Sequence, residues 1–215
     1  DIHANVFDSA IIDKIYNIPH TVLKNQADWA LGIVTGSNTR YVSASPKTGY
    51  EEVYKGKDIE RVILRKPSNY IQFVPDKFQQ VAPIEKYRAK EKLIYRFISK
   101  NLVFAYDNSQ KLTLNSANIV IPKITNYPIK VIAAFFNSSL YQFIFQKKFA
   151  SIKVLRSHIE HLPLPLWGKR VFNEIAEMVD KVIQSELSSD IIDNYIMDKY
   201  SLSTEERNYI KDFNK

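Results

Sequence analysis

The hydrophobic period of this chain changes once, at Pro122, and that change limits what it can fold into. Before Pro122 the apolar residues come in short runs rich in β-branched and aromatic side chains: 92–98 (KLIYRFI), 102–106 (LVFAY) and 117–121 (ANIVI). Runs of this length and type are strand formers. After it, Ile129, Ile132, Ala133 and Phe136 fall on one helical face, and Asn137 or Ser138 can cap a second helix running through Phe149. Further on, Val171, Ile175, Met178, Val179 and Val182 form an apolar helical stripe, Ile191, Ile192, Tyr195 and Ile196 form another, and Ser203-x-x-Glu206 is a capping box. Pro163 and Pro165 interrupt regular pairing between the two parts. The expected fold is α+β: a mixed, strand-rich body with helices over residues 1–165, followed by an all-helical tail over 166–215.

Local signals refine this outline. Residues 27–45 are turn-rich around Gly32 and Gly36 and read as a loop between short strands. Asp107-Asn-Ser109 is expected to turn the chain, with Lys111–Leu114 as the returning strand of a hairpin. Residues 11–18 fit a short helix or a strand, and 85–97 can be read as a helix instead of ending in a strand.

With 45% apolar and 13% aromatic residues, the chain can bury a core large enough to offset its conformational entropy. It contains no apolar run long enough to span a membrane. The opening DIHANVFDSA has neither a basic nor an apolar leader segment, so a cytoplasmic location is expected. The chain starts at Asp1 and not at Met, which fits a piece of a longer protein. The absence of cysteine excludes disulfides, thiolate catalysis and cysteine-based zinc sites. Of the net +7, residues 1–165 carry 23 basic and 13 acidic side chains (+10), and residues 166–215 carry 7 and 10 (−3). A basic body with an acidic tail suggests a polyanionic partner for the body.

Catalytic constellations are missing. There is no GxGxxG, Walker A, HExxH or GxSxG pattern, and no Asn-Pro-Pro-Tyr motif of adenine methyl transfer. GIVTG (32–36) has two glycines and reads as a turn before it reads as a phosphate cradle. His158 and His161 are three apart but lack the acidic company of a metal site, and Glu51, Glu52 and Asp58 are too loosely spaced for a nuclease centre. No residue is therefore assigned a catalytic, cofactor-binding or metal role. What remains is a surface of interleaved basic, polar and aromatic side chains. Lysine and arginine neutralise phosphates, and arginine can also grip guanine with two hydrogen bonds. Any one such residue is ordinarily a solvated surface charge; their recurrence along the body favours a binding face. The expected DNA-binding residues are Thr35, Ser37, Asn38, Thr39 and Arg40 in the first loop, with Lys57, Arg65, Arg96, Lys147, Lys153 and Arg156.

The segments KLIYRFISKNLVFAYD (92–107), LTLNSANIVIP (112–122), AAFFNSSLYQFIFQKKF (133–149) and SIKVLRSHIEHLPLP (151–165) resemble the TaqI-type C-terminal specificity domain, the target-recognition region of adenine-N6 DNA methyltransferases and of fused type IIG restriction enzymes. LGIVTGSNTRYV (31–42) and YKGKDIERV (54–62) resemble the start of such domains, and residues 66–91 diverge, as the resemblance implies for the stretch where different target sequences are read. The resemblance implies a reader of double-stranded DNA that works beside a methyltransferase domain of the same or another chain. That domain, which is not in this sequence, would hold S-adenosylmethionine. A competing expectation is an assembly module that docks a methyltransferase subunit through its helical tail.

Overall fold

The computed structural model describes residues 5–214; His3 lies outside them. The chain opens on α1 (Val6–Tyr16), then β1 (His20–Thr21) and β2 (Ala27–Ala30). A short α2 (Asn38–Tyr41) leads into β3 (Val42–Ser43), β4 (Glu51–Tyr54), β5 (Asn69–Ile71) and α3 (Ile84–Tyr87). The central strands follow: β6 (Lys92–Arg96), β7 (Phe104–Asp107), β8 (Leu112–Thr113) and β9 (Ala117–Pro122). Then come α4 (Ile129–Asn137), α5 (Ser139–Phe149), α6 (Arg156–Ile159) and β10 (Leu164–Pro165), and the tail helices α7 (Lys169–Ile183), α8 (Asp190–Lys199) and α9 (Thr204–Phe213).

One sheet, in the order β2-β9-β6-β7, is antiparallel throughout. Its residues alternate between two cores, as the two-residue period of a strand requires. Leu93, Tyr95, Phe104 and Val120 face a large core shared with the helices. Ile94, Ala105, Ala117 and Ile119 face a smaller core shared with the second sheet. Because both faces are covered, β6 is apolar almost without interruption.

The second sheet has the order β3-β5-β4-β8, with β4 and β8 parallel. This corrects the expected hairpin: Leu112 and Thr113 pair with Val53 and Tyr54 and do not return along β7. The cause lies at Asp107. Its carboxylate accepts hydrogen bonds from the Ser109 backbone (2.9 Å), the Lys111 backbone (2.9 Å) and Lys92, which curls residues 107–111 away from the first sheet. Of the two open readings, 11–18 lies largely within a helix, and 85–97 divides into a one-turn α3 and strand β6.

β7 is the outer strand of the first sheet, and its exposed backbone polar groups need partners. Asn137, at the end of α4, accepts from the Phe104 N–H (3.0 Å) and donates to the Phe104 carbonyl (2.7 Å). Gln142, one turn into α5, does the same for Leu102, at 2.6 and 3.1 Å. Farther along the edge, Val62 donates to Phe104 (2.8 Å) and accepts from Tyr106 (3.2 Å).

The tail helices pack on the body. Phe172, Ile175, Val179, Ile196, Met197 and Ile210 enter the same core as α1, α4 and α5. Asp8 of α1, almost fully buried, joins three elements: it accepts from Lys147 of α5 (2.9 Å) and from Tyr209 of α9 (2.9 Å). No helix among the described residues is long and apolar enough to cross a membrane.

Replacing Asn137 by Ala leaves the buried Phe104 N–H without an acceptor. We expect Asn137→Ala to lower unfolding free energy by roughly 1–3 kcal/mol in urea titration; an unchanged midpoint would show that the strand edge finds another partner.

Candidate nucleic-acid interface

The loop after β2 is built around two glycines with different duties. A Cβ on Gly32 would lie 2.1 Å from the Leu114 carbonyl oxygen, so only glycine fits against the β8–β9 turn. Gly36 has a φ of +76°, the left-handed turn that lets the chain reverse. The backbone N–H groups of this stretch are used internally: Gly32 donates to Asn118 (3.1 Å), Ile33 to Thr113 (2.7 Å) and Val34 to Gln80 (2.9 Å). GIVTG is therefore a packing turn and leaves few donors for a phosphate.

Past Gly36 the loop carries short polar side chains outward. Thr35 is buried and holds the turn, donating to Asn38 (2.8 Å) and accepting from the Ser37 N–H (3.1 Å). Asn38, Thr39 and Arg40 are exposed and Ser37 half-buried. The Arg40 guanidinium lies 5.3 Å from the Tyr41 ring centre and has no carboxylate partner among the described residues. The loop faces the segment 75–80. Between them opens a concavity of about 490 Å³ lined by Thr35, Ser37, Arg40, Asp76, Lys77 and Gln79. The second side of this concavity falls in residues 66–91, the stretch expected to diverge from the family where different targets are read; the sequence singles out no residue of it.

A second group surrounds the end of β6. Arg96 donates through Nε (3.0 Å) and Nη2 (2.6 Å) to the Ile59 carbonyl, so its guanidinium holds the loop 56–65 in place. On that loop Lys57 is exposed and without an ion pair among the described residues, while Arg65 pairs with Glu60 at the surface. The next residues, Phe97 and Ser99, bind the segment after α5: Val154 donates to Phe97 (2.9 Å) and Ser99 to Ile152 (2.9 Å). Val154 is buried and anchors this segment; Ile152 and Leu155 are exposed. Lys153 projects from it with no ion pair among the described residues, and Ser151 ties its backbone from both sides (2.9 and 3.0 Å). Arg156 is paired with Glu160 (2.9 Å) and lies over Trp29 (5.5 Å).

Lys147 belongs to neither group. It is ion-paired to buried Asp8 and sits 4.6 Å from the Phe213 ring centre, inside the contact between body and tail. The remaining suspects have structural duties. His158 stacks on Phe149 at 4.4 Å, and burial pushes its pKa down. Glu51 pairs with Arg88 and Glu52 with Lys111. No group of three or more potential metal ligands occurs among the described residues.

Comparison with known proteins gives these features a context. The profile of the TaqI-like C-terminal specificity domain matches residues 51–164, over half of the chain. Over 54 residues the chain is 44% identical to the Type II methyltransferase M.VspI of Vibrio sp. (strain 343), covering 25% of this chain and 13% of that protein. The Type IIL restriction-modification enzyme MmeI, solved in complex with DNA, has a similar backbone: TM-score 0.58 at 7% identity, over 91% of this chain and 38% of that one. A chain from a type I restriction-modification system, solved for its complex assembly and conformational transition, gives TM-score 0.50 at 12% identity, over 96% and 53%. At these identities the two structures share the fold. The present chain spans only part of each relative.

The duty assigned to Lys147 has a pH signature. Burial alone would raise the Asp8 pKa, but hydrogen bonds from the Asn5 N–H, Lys147 and Tyr209, with the Lys147 charge, outweigh it and hold Asp8 below its ordinary 3.8. A carboxylate lowered by folding stabilises the fold above its unfolded value, and that stability is lost as pH falls through the folded value. Lys147→Ala should cost roughly 1.5–3 kcal/mol at neutral pH, and the deficit should shrink below about pH 4. Lys153→Ala should leave stability unchanged. Equal deficits for Lys147→Ala in urea titrations at neutral and acid pH would remove Asp8 as the cause.

Proposed function

This chain belongs to the TaqI-like C-terminal specificity domain family, and from that premise we propose that it reads sequence in double-stranded DNA for a bacterial restriction-modification enzyme. The observation that carries the reading is a division among its basic residues. Arg40, Lys57 and Lys153 stand exposed and without carboxylate partners among the described residues, on loops whose backbones are held by buried anchors. Arg65 and Arg156 are exposed but share their charge with a glutamate.

Held cations on rigid supports suit two tasks. Lys57 and Lys153 are assigned to phosphates, which set register without reading sequence. Arg40, with Asn38 and Thr39 beside it, is assigned to base edges, where a guanidinium matches guanine O6 and N7. Arg96 and Lys147 act on the fold and not on DNA. The parent enzyme is proposed to be an adenine-N6 methyltransferase, with or without a nuclease. Its S-adenosylmethionine and the methyl-transfer residues would lie in another domain of the same or a partner chain. Neither methyl transfer nor cleavage is assigned to these residues. The competing reading, an assembly module that docks through the tail, needs an unburied apolar face there. Phe172, Ile175, Val179 and Ile196 lie in the core, which leaves Leu166, Ile183 and Ile191 as the tail's exposed large apolar side chains among the described residues.

Binding of the 215-residue chain to labelled duplex DNA tests the proposal. Affinity should fall about ten-fold or more between about 50 and 200 mM salt, as expected for two or more neutralised phosphates. Lys153→Ala should weaken all sequences alike and lower the salt slope by about one unit. Arg40→Ala should cost on the order of 1–3 kcal/mol at one base position. Affinity that does not depend on salt would overturn the electrostatic basis. A Lys153→Ala protein with altered sequence preference would reverse the two assigned roles.

A further inference from the structure

The side of the concavity opposite Arg40 is as firmly fixed as the Arg40 loop. Pro75–Lys77 makes a single tight turn, closed by the Phe78 N–H on the Pro75 carbonyl (3.0 Å). Phe78 turns inward and packs edge-on against Tyr41 (5.5 Å) and at a tilt against Phe73 (5.9 Å). Gln80 exchanges backbone hydrogen bonds with Val34 in both directions, at 2.9 and 3.0 Å. Gln79 lies between these two anchors. Its backbone is held on both sides, while its side chain is exposed and makes no hydrogen bond among the described residues. A Cβ on Gly36 would come within 3.3 Å of the Gln79 Cβ, so the glycine lets the two strands of the lip approach. Arg40 stands across the same opening, resting on the Tyr41 ring that also packs on Phe78.

An exposed glutamine is ordinarily a solvent-facing polar residue. Three features set this one apart: an immobilised backbone, an unengaged amide, and an opening shared with an unpaired arginine. A carboxamide carries one acceptor and a pair of donors, the complement of adenine N6 and N7 in the major groove. Lys77 at the rim supplies a positive charge for the neighbouring phosphate. We infer that Gln79 is a second base-reading side chain, which recognises an adenine-containing base pair close to the one read by Arg40. This rests on the DNA-reading function proposed above.

The experiment is selection of bound duplexes from a random pool by the full chain at low salt, comparing wild type, Gln79→Ala, Gln79→Glu and Lys77→Ala. Gln79→Ala should keep the wild-type preference except at one position, where discrimination for adenine falls by roughly 5- to 150-fold. Gln79→Glu should shift that same position towards cytosine, because a carboxylate accepts from cytosine N4. Lys77→Ala should weaken every sequence alike. An exposed side chain contributes little to the fold, so thermal unfolding of the variants should match the wild type. A purely structural role would lower unfolding temperature without moving the preference. A wild-type preference that both Gln79 variants retain in full would overturn this inference and leave the DNA-reading function standing. A wild type that selects no sequence at all would overturn the DNA-reading function itself.

Discussion

The fold hangs on two side-chain amides. Asn137 and Gln142 stand at the junction of α4 and α5 and bind the backbone of Phe104 and Leu102 as a neighbouring strand would. A sheet edge turned toward a helical layer is costly if its polar groups go unmet, since a buried unpaired donor or acceptor loses its water without compensation. Amides suit this place because each offers both a donor and an acceptor. Their bonds fix the height of α4 and α5 over the sheet. They also fix residues 97–104, whose other end carries the Val154 anchor and so the Lys153 segment. The run FFNSSLYQF (135–143), which lies within the residues matched by the family, is thus explained by edge satisfaction. Its phenylalanines and tyrosine fill the core, and its asparagine and glutamine fasten the sheet to the helices.

Net charge is a poor guide to which cations meet a ligand. Lys92 is fully buried against Asp107, half-buried Lys147 is paired with buried Asp8, and Arg96 is engaged with a backbone carbonyl. Surface pairs such as Arg65–Glu60 contribute little to stability, but they still lower the local positive potential. What distinguishes Arg40, Lys57 and Lys153 is their position. Each sits on a turn held by the hydrogen bonds of neighbouring residues, so its own charged group is not needed to shape the turn. A phosphate gains most from a cation that is already held in place and unpaired.

The sequence showed the layered plan because its signals were strong and local. The change of period at Pro122 marks where the last strand of the main sheet gives way to α4 and α5, and the apolar run Leu93–Tyr95 in β6 reflects burial on both faces. What it hid was non-local. The path of residues 107–114 depends on the Asp107 carboxylate meeting Lys92 from another strand, and no spacing rule reports that. Lys147 reads as one of the basic residues that recur along the body. Yet it follows Phe143 by four residues, on a buried face, and that spacing could have reassigned it. Thr35 looked like a reading residue in a polar loop, and proves to be the buried hydroxyl that shapes it. Residues 75–80 lie in the stretch whose divergence from the family is legible in the sequence, but their turn chemistry has no period that singles out one side chain.

The division between frame and reading surface has a further consequence. The large core is assembled from both ends of the chain, with α1, α5 and α9 meeting at the Asp8 carboxylate. Neither the loop 35–40 nor the segment 75–80 contributes a side chain to that core. They attach to the smaller core through Phe73 and Phe78, and to each other through the Val34–Gln80 backbone pair. Exposed side chains on such a lip can change without disturbing the amide-bound sheet edge or the helical layer, because sites that share no partners contribute independently to stability. Backbone changes are different: Gly32 has no room for a Cβ, and Gly36 needs a positive φ. On the reading proposed above, a domain of this build can vary Arg40 and Gln79 while the two glycines and the aromatic anchors stay fixed.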